Sequence, residues 1–310
     1  MHRKRALIFS GQGAQCVGMG ADLLEHSAAV RHLYNEADDT LKFPLSQYCF
    51  EGPQEKLTET AVCQPALYVH GLALLALVKE HHPHFRFAAT AGLSLGEYTA
   101  HAAAGTFDFA TGLKLVFHRG RLMQEACDAT RGGMLALVGA TAEQGREIAH
   151  AVDLDAANFN APGQVVLSGD ERKIPAAIEA AKQMGIRKAI PLKVAGAYHS
   201  RLMKKAQDGL RPYLDEAKIS NPPMPVMANI SGQEIAEPAA IRDALSAQVC
   251  GSVLWEDCIR SLIALGITEF IEFGPGGVLA GMVKRIDPAV HCLSIGTYAN
   301  YKEHSHVFAQ

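Results

Sequence analysis

Ser94 lies between two glycines, in Gly92-Leu93-Ser94-Leu95-Gly96. A serine becomes a nucleophile when it is exposed, has a base within reach and faces donors for an oxyanion. Flanking glycines supply the exposure, because a sharp strand-to-helix turn leaves no room for side chains beside the serine. A helix that follows such a turn points its N-terminal N–H groups and the positive end of its dipole at developing charge. A second reading needs no chemistry. Ser94 and Glu97 form an S-x-x-E pattern, the signature of a capping box. The local letters leave both open.

A nucleophile needs a base. Of the 14 histidines, most have no role to play, and His81, His82 and His84 read as a surface cluster. His199 stands out in "VAGAYHS", at a glycine-bearing junction between two differently patterned parts of the chain. Clefts form at such junctions. An oxyanion hole also needs two backbone N–H groups. Leu95, the residue after the serine, is one candidate. The loop "FSGQGAQ", with Gly11-Gln12-Gly13 after a short strand, is a candidate source of another, since it opens on the same edge as the serine turn; a bare tight turn is the plainer reading.

The surrounding elements alternate. Ala6–Phe9 reads as a strand. Gln64–His81 reads as a buried helix, apolar nearly all round, with Pro65 in its first turn. "FRFAATAG" is a strand, "EYTAHAAAG" a small-residue helix and "FDFATGLKLVFHRGRLMQEAC" a longer amphipathic one. This is α/β order with a mostly parallel sheet. Residues 127–197 read differently, as strand, helix, strand, strand, helix, strand. The order βαββαβ is the ferredoxin-like unit, here inserted as a small subdomain into a large, hydrolase-like domain of residues 1–126 and 198–310. In the resumed large domain, "MPVMANI" and "TEFIEFG" read as strands and "PGGVLAGMVKRI" as a helix behind a glycine-rich turn. The tail "YKEHSHVFAQ" is expected to fray.

Composition limits the partners. The 310 residues are 48% hydrophobic and 20% charged, which is globular. A formal net charge of −3 gives no field for nucleic acid. The apolar run at 68–78 is too short to span a bilayer and is broken by His70. Seven scattered cysteines without a C-x-x-C pair disfavour both a disulfide framework and a metal site; buried free thiols in a cytoplasmic protein are expected.

Seven motifs in order extend the reading: "GQGAQ", "GLSLGE", "HRGRLM" at 118–123, "NFNAPGQVVLSG" at 158–169, "AYHS" at 197–200, "QVCGSVLW" at 248–255 and "FIEFGPGGVLAGMVKR" at 270–285. Together they resemble the malonyl-CoA:acyl carrier protein transacylases, the acyltransferases of fatty-acid and polyketide synthesis, over about residues 5–296. The resemblance implies that Ser94 is the nucleophile that becomes a malonyl ester and His199 its general base. It implies an oxyanion hole from the amides of Gln12 and Leu95, and an Arg119 that pairs with the malonate carboxylate. It further implies a Gln248 whose carbonyl orients the histidine, and an Asn160 that lines the pocket. Tyr198, where malonyl-selective members have phenylalanine, would crowd an α-methyl group. The implied partners are malonyl-CoA and an acyl carrier protein, with no cofactor and no metal; a monomer is the default expectation. Alternatives are a polyketide-pathway acyltransferase acting in trans, the transacylase of malonate decarboxylase, a serine thioesterase or hydrolase, and a non-catalytic subunit that keeps the fold. The chain departs from the family pattern at Leu93, where histidine is usual, and at Ser10 and Ser252, where proline is usual. Arg187, Lys188, Lys193, Lys204, Lys205, Lys284 and Arg285 are candidates for a basic rim facing an acidic carrier.

Overall fold

The computed structural model describes residues 4–309. The chain opens with β1 (Arg5–Phe9), whose five residues are all buried. Four helices follow: α1 (Ala28–Leu41), α2 (Leu45–Phe50), α3 (Gln54–Thr58) and α4 (Thr60–His81). Next come β2 (Ala89–Gly92), α5 (Gly96–Ala103) and α6 (Phe109–Ala129). The antiparallel unit contains β3 (Gly132–Val138), α7 (Ala142–Ala151), β4 (Asp155–Ala161), β5 (Gln164–Asp170), α8 (Ile174–Gln183) and β6 (Lys188–Pro191). The chain then returns through α9 (Lys204–Glu216), α10 (Pro238–Ala247) and α11 (Trp255–Ala264). It ends with β7 (Glu269–Phe273), α12 (Val278–Ile286), β8 (His291–Ile295) and α13 (Tyr298–Phe308).

Two four-stranded sheets organise these elements. The first is parallel throughout, in the order β2-β1-β7-β8, with helices on its faces. Phe9 pairs with both Gly92 and Phe273, so β1, β2 and β7 end level with one another. The loops beginning at Ser10, Leu93 and Gly274 therefore leave one edge side by side, where open parallel sheets bind ligands. The second sheet is antiparallel, in the order β4-β5-β3-β6, and takes all its strands from residues 132–191. With α7 and α8 on one face it forms the ferredoxin-like βαββαβ unit. Reciprocal backbone bonds tie it to the large part: Phe159 N to Val253 O and Val253 N to Ala157 O. Beside them, the hydroxyl of Ser252 donates to Ala156 O at 2.6 Å, a bond that a proline at this position could not make.

Helix α4 starts one turn before the expected Gln64, so Pro65 stands inside it rather than in its first turn. At 22 residues it is long and apolar enough to cross a membrane, but it is almost wholly buried in the core of the protein. Helices α1, α5 and α6 cover it, which accounts for its lack of a polar face.

Three expectations need correction. "MPVMANI" forms no strand; Val226 and Met227 make isolated bridges, with Met227 N donating to Thr90 O beside β2. The tail does not fray through Ala309, Gln310 lying outside the described residues. It folds as α13 and buries Tyr301 and Phe308, and His81 and His82 bond the Tyr301 hydroxyl at 2.9 and 3.0 Å. His81 and His84 are exposed, as expected of a surface cluster, and His81 and His82 also anchor this helix. Finally, Cys16 is exposed, while Cys49, Cys63, Cys127 and Cys258 are buried; all seven thiols are free.

Candidate active site

The serine turn is built by close backbone approach. Strand β2 ends at Gly92, and a Cβ there would fall 1.9 Å from the carbonyl group of Gly96. A Cβ on Gly96 would lie 2.3 Å from Phe9 O, and one on Gly11 would lie 2.6 Å from Leu93 O. Glycine at these positions lets the turn close against the end of β1 and the loop after it. Ser94 itself takes φ 55°, a left-handed conformation that costs a non-glycine residue about 1–2 kcal/mol. Two distant side chains hold it there. Asn229 Oδ1 accepts the Ser94 N–H at 2.6 Å, and Gln248 Nε2 donates to Ser94 O at 2.9 Å.

These bonds decide the capping question. Leu95, not Ser94, flanks α5, and it makes no side-chain cap. Glu97 does not reach back to the Ser94 amide, which Asn229 already occupies. The expected capping box is absent, and the Ser94 hydroxyl is left for other partners.

One of those partners is His199. Its Nε2 lies 2.8 Å from Ser94 Oγ. Its Nδ1 lies 2.8 Å from the main-chain oxygen of Gln248. A carbonyl only accepts, so Nδ1 carries the proton and Nε2 presents its lone pair to the serine O–H. His199 is buried, and φ 56° turns its ring inward where the chain leaves the antiparallel unit. Burial, and then the nearby Arg119 cation, push its pKa down to about 4, so the ring is neutral near pH 7.

Arg119 is the second neighbour of Ser94. Gly120 lets α6 press against the start of α4, since a Cβ there would meet Thr60 O at 2.7 Å. Arg119, only 1% exposed, is thereby placed beside Gln64 of α4. Its Nη1 donates to Gln64 Oε1 at 2.7 Å; its Nη2 donates to Gln248 Oε1 at 2.9 Å and to Ser94 Oγ at 3.1 Å. The Tyr98 ring lies 5.5 Å from the guanidinium carbon. Arg119 Nε has no partner among the described residues.

Of the remaining sequence candidates, Gln12, Tyr198 and Asn160 line a cavity beside Ser94 and His199, while Leu95 is buried and does not line it. Among the described residues, no protein acceptor takes the main-chain N–H of Gln12 or of Leu95. The Gln12 side chain donates to Thr60 Oγ1 at 3.3 Å and to Tyr198 Oη at 3.2 Å, and Tyr198 Oη lies 2.6 Å from Thr60 Oγ1. The Tyr198 hydroxyl is thus fixed and its ring faces the cavity. Asn160 lines the cavity too, with a buried Oδ1 that has no partner among the described residues. The space measures about 310 Å³ and lies between the loop carrying Gln12, the serine turn, β4 and the segment 192–199. Leu93 lines it and packs against the apolar cluster around Met227 and Val253, which a histidine would not match. At Ser10 the backbone N–H makes only a 3.5 Å contact with Phe273 O, so little separates serine from the usual proline.

Four contributors to the site escape the sequence reading: Thr60, Gln64, Asn229 and the side chain of Glu97. All four are buried polar residues in apolar surroundings. That is the signal that marks them, since buried polar groups need partners. Among the described residues, no group of three or more His, Cys, Asp or Glu is placed to hold a metal.

The geometry can be set against known proteins. Residues 6–307 match the family model of the acyl transferase domain. The chain belongs to the acyl transferase family. It is 41% identical to a malonyl CoA-acyl carrier protein transacylase of Bacillus subtilis, over 94% of this chain and 93% of that one. Among solved structures, an acyl-carrier-protein-S-malonyltransferase from Bartonella henselae superposes with a TM-score of 0.94 at 35% identity, covering 99% of this chain and 100% of the other. A malonyl-transacylase solved in complex with its type II PKS acyl-carrier protein gives 0.90 at 34% identity, covering 96% and 97%. In this acyl transferase, the serine turn, the histidine and the arginine stand on three different segments and meet at one oxygen, Ser94 Oγ.

Proposed function

We propose that this acyl transferase moves a malonyl group from malonyl-CoA to the phosphopantetheine thiol of an acyl carrier protein, supplying fatty-acid synthesis. The observation that carries the reading is the meeting of Arg119 and His199 on Ser94 Oγ in a buried cleft. A general hydrolase has no use for a buried guanidinium beside its nucleophile. A substrate with a free carboxylate does, because arginine can hold a carboxylate with two parallel charge-assisted bonds.

In the first half-reaction Ser94 Oγ attacks the thioester carbonyl carbon while His199 Nε2 takes the hydroxyl proton. The unoccupied amides of Gln12 and Leu95 receive the oxyanion. The C–S bond breaks, and the CoA sulfur leaves with the proton from His199. The second half runs in reverse with the carrier thiol as nucleophile. Arg119 gives up its bond to Ser94 Oγ and directs that N–H to the malonyl carboxylate. Asn160 Oδ1, lacking a donor, suits an amide N–H of the pantetheine arm. No step calls for a cofactor. Exposed Arg187, Lys188, Lys193, Lys204, Lys205, Lys284 and Arg285 give the acidic carrier a basic approach, and Lys193 stands at the cavity itself. One chain supplies every residue in the scheme, so we take the enzyme to act as a monomer. The seven free thiols suit a reducing cytoplasm.

Intact-mass measurement after mixing with acyl-CoAs tests the reading. Malonyl-CoA should add one malonyl group quickly, with acetyl-CoA and methylmalonyl-CoA much slower. Equal labelling by all three, or none by malonyl-CoA, would sink it. A companion experiment concerns Tyr198. Replacing it by serine removes the ring that limits the α-carbon, so the methylmalonyl-to-malonyl ratio should rise roughly tenfold or more, the scale of one methyl group in a fitted pocket. Tyr198→Phe keeps the ring and should leave that ratio alone; competition labelling reads both.

A further inference from the structure

Glu97 has no part in the scheme above, yet it sits at its centre. It lies on the first turn of α5 and is wholly buried. Its Oε2 accepts the main-chain N–H of Asn229 at 3.0 Å and Nε2–H of Gln248 at 2.6 Å. Each of those residues holds reacting groups in turn. Asn229 binds the Ser94 amide and, through Nδ2, Gly92 O at 2.8 Å. Gln248 takes the His199 proton on its main-chain oxygen, Arg119 on its Oε1, and donates to Ser94 O.

A glutamine amide fits a site either way round, and its neighbours choose. A carboxylate only accepts, so Glu97 compels Nε2 to face it and leaves Oε1 facing the guanidinium. Carboxylate, amide and guanidinium then stand in a line in which each hydrogen bond has a charged partner. Reversing the amide would set N–H against N–H at Arg119.

We propose that Glu97 is a positioning residue whose buried carboxylate fixes the Gln248 amide and Asn229, and through them the placement of Ser94, His199 and Arg119. The proposal rests on the malonyl-transfer reading. The groups facing Glu97 are Arg119 on α6, which draws its pKa down, and Tyr98 on α5 and Cys258 on α11, both pushed up and neutral near pH 7. Burial is the larger influence on Glu97 and pushes it up to about 7. The carboxylate therefore loses its charge as pH falls through neutrality, well above the range near 4 in which His199 takes a proton.

Two variants separate charge from geometry. Glu97→Gln can put its carbonyl where Oε2 stands and its NH₂ where the unpartnered Oε1 stands, keeping both accepted bonds without the charge. Glu97→Leu removes both. The rate of malonyl-enzyme formation, by rapid quench and intact mass from pH 5 to 9, is compared with thermal melts of each protein. Folded Glu97→Leu should acylate about 100-fold more slowly, the scale of a misplaced reacting group. Glu97→Gln should be only several-fold slower and flat across neutrality, whereas the wild type slows several-fold as pH falls through about 7. A folded Glu97→Leu acylating at the wild-type rate overturns the proposal, as does a Glu97→Gln profile with the wild-type step near neutrality. Should the leucine variant not fold, the comparison of Glu97→Gln with wild type decides alone. Absence of any malonyl ester on wild type is a different failure, that of the malonyl-transfer reading.

Discussion

Malonyl-CoA is expected to add one malonyl mass to the wild-type protein and none to Ser94→Ala. His199→Ala should still acquire the adduct, but about 1,000-fold more slowly, within the roughly 10²–10⁴ that a positioned base contributes. The asymmetry follows from what each residue supplies. In the proposed scheme Ser94 Oγ is the atom that forms the ester, and among the described residues no other hydroxyl is hydrogen-bonded to both His199 and Arg119. His199 supplies only the removal of a proton, which water can do poorly. The elbow should survive both changes. Ser94 is held by its main-chain N–H and O, through Asn229 and Gln248, and neither bond uses the side chain being altered. Melting temperatures of both variants near wild type, together with the stated rates, are the expected pair of results. An adduct on Ser94→Ala would place the nucleophile elsewhere.

What the sequence discloses about this site divides along a physical line. The serine turn is legible because its backbone demands leave letters behind: glycine at 92 and 96 is what the crossing with Phe9 and the start of α5 requires. His199 is legible for a similar reason, since the change from an antiparallel unit back to parallel order marks the junction where a cleft forms. The capping box misleads because S-x-x-E is also the spacing that puts a glutamate on the buried side of α5, where it serves Asn229 and Gln248 instead. Thr60, Gln64 and Asn229 come from segments far from Ser94 in the chain. Their letters reveal a polar group in an apolar stretch but not which cavity it faces.

The fold shows the same division. The βαββαβ order can be read because short apolar runs, which become β3, β4 and β5 and are buried along most of their length, are separated by the helical patterns of α7 and α8. "MPVMANI" has the composition of a strand, yet its segment makes only isolated bridges beside β2. Helix α13 holds Tyr298, Tyr301 and Phe308 among polar residues, too sparse for a local pattern to show. Its burial depends on His81 and His82, more than 200 positions earlier.

Arg119→Ala is expected to lower kcat/KM for malonyl-CoA by about 10²–10³-fold, the scale of removing one partner of a buried charge pair, while acetyl-CoA loses much less. Both substrates should suffer somewhat, because the variant also leaves Gln64 Oε1 and Gln248 Oε1 without their donor. The ratio between substrates, not the absolute loss, therefore reports carboxylate recognition, and an unchanged ratio would remove Arg119 from that role. Arg119→Lys keeps the charge but offers a single nitrogen to acceptors that the guanidinium reaches with two. It should recover stability more than selectivity. The arginine also leaves a mark on the pH profile. Its cation is the second cause, after burial, that holds His199 down near 4. Removing it makes protonation of the imidazole easier, so His199 should lose its basic form at a higher pH and the acid limb of acylation should move up. The Glu97 limb should move up slightly as well, since Arg119 helps the bonds from Asn229 and Gln248 to draw that carboxyl down. A bound malonyl carboxylate neutralises the same cation. In the wild-type complex, therefore, the histidine should be a stronger base with malonyl-CoA than with acetyl-CoA, and the kcat profile for malonyl transfer should carry the higher acid limb of the two.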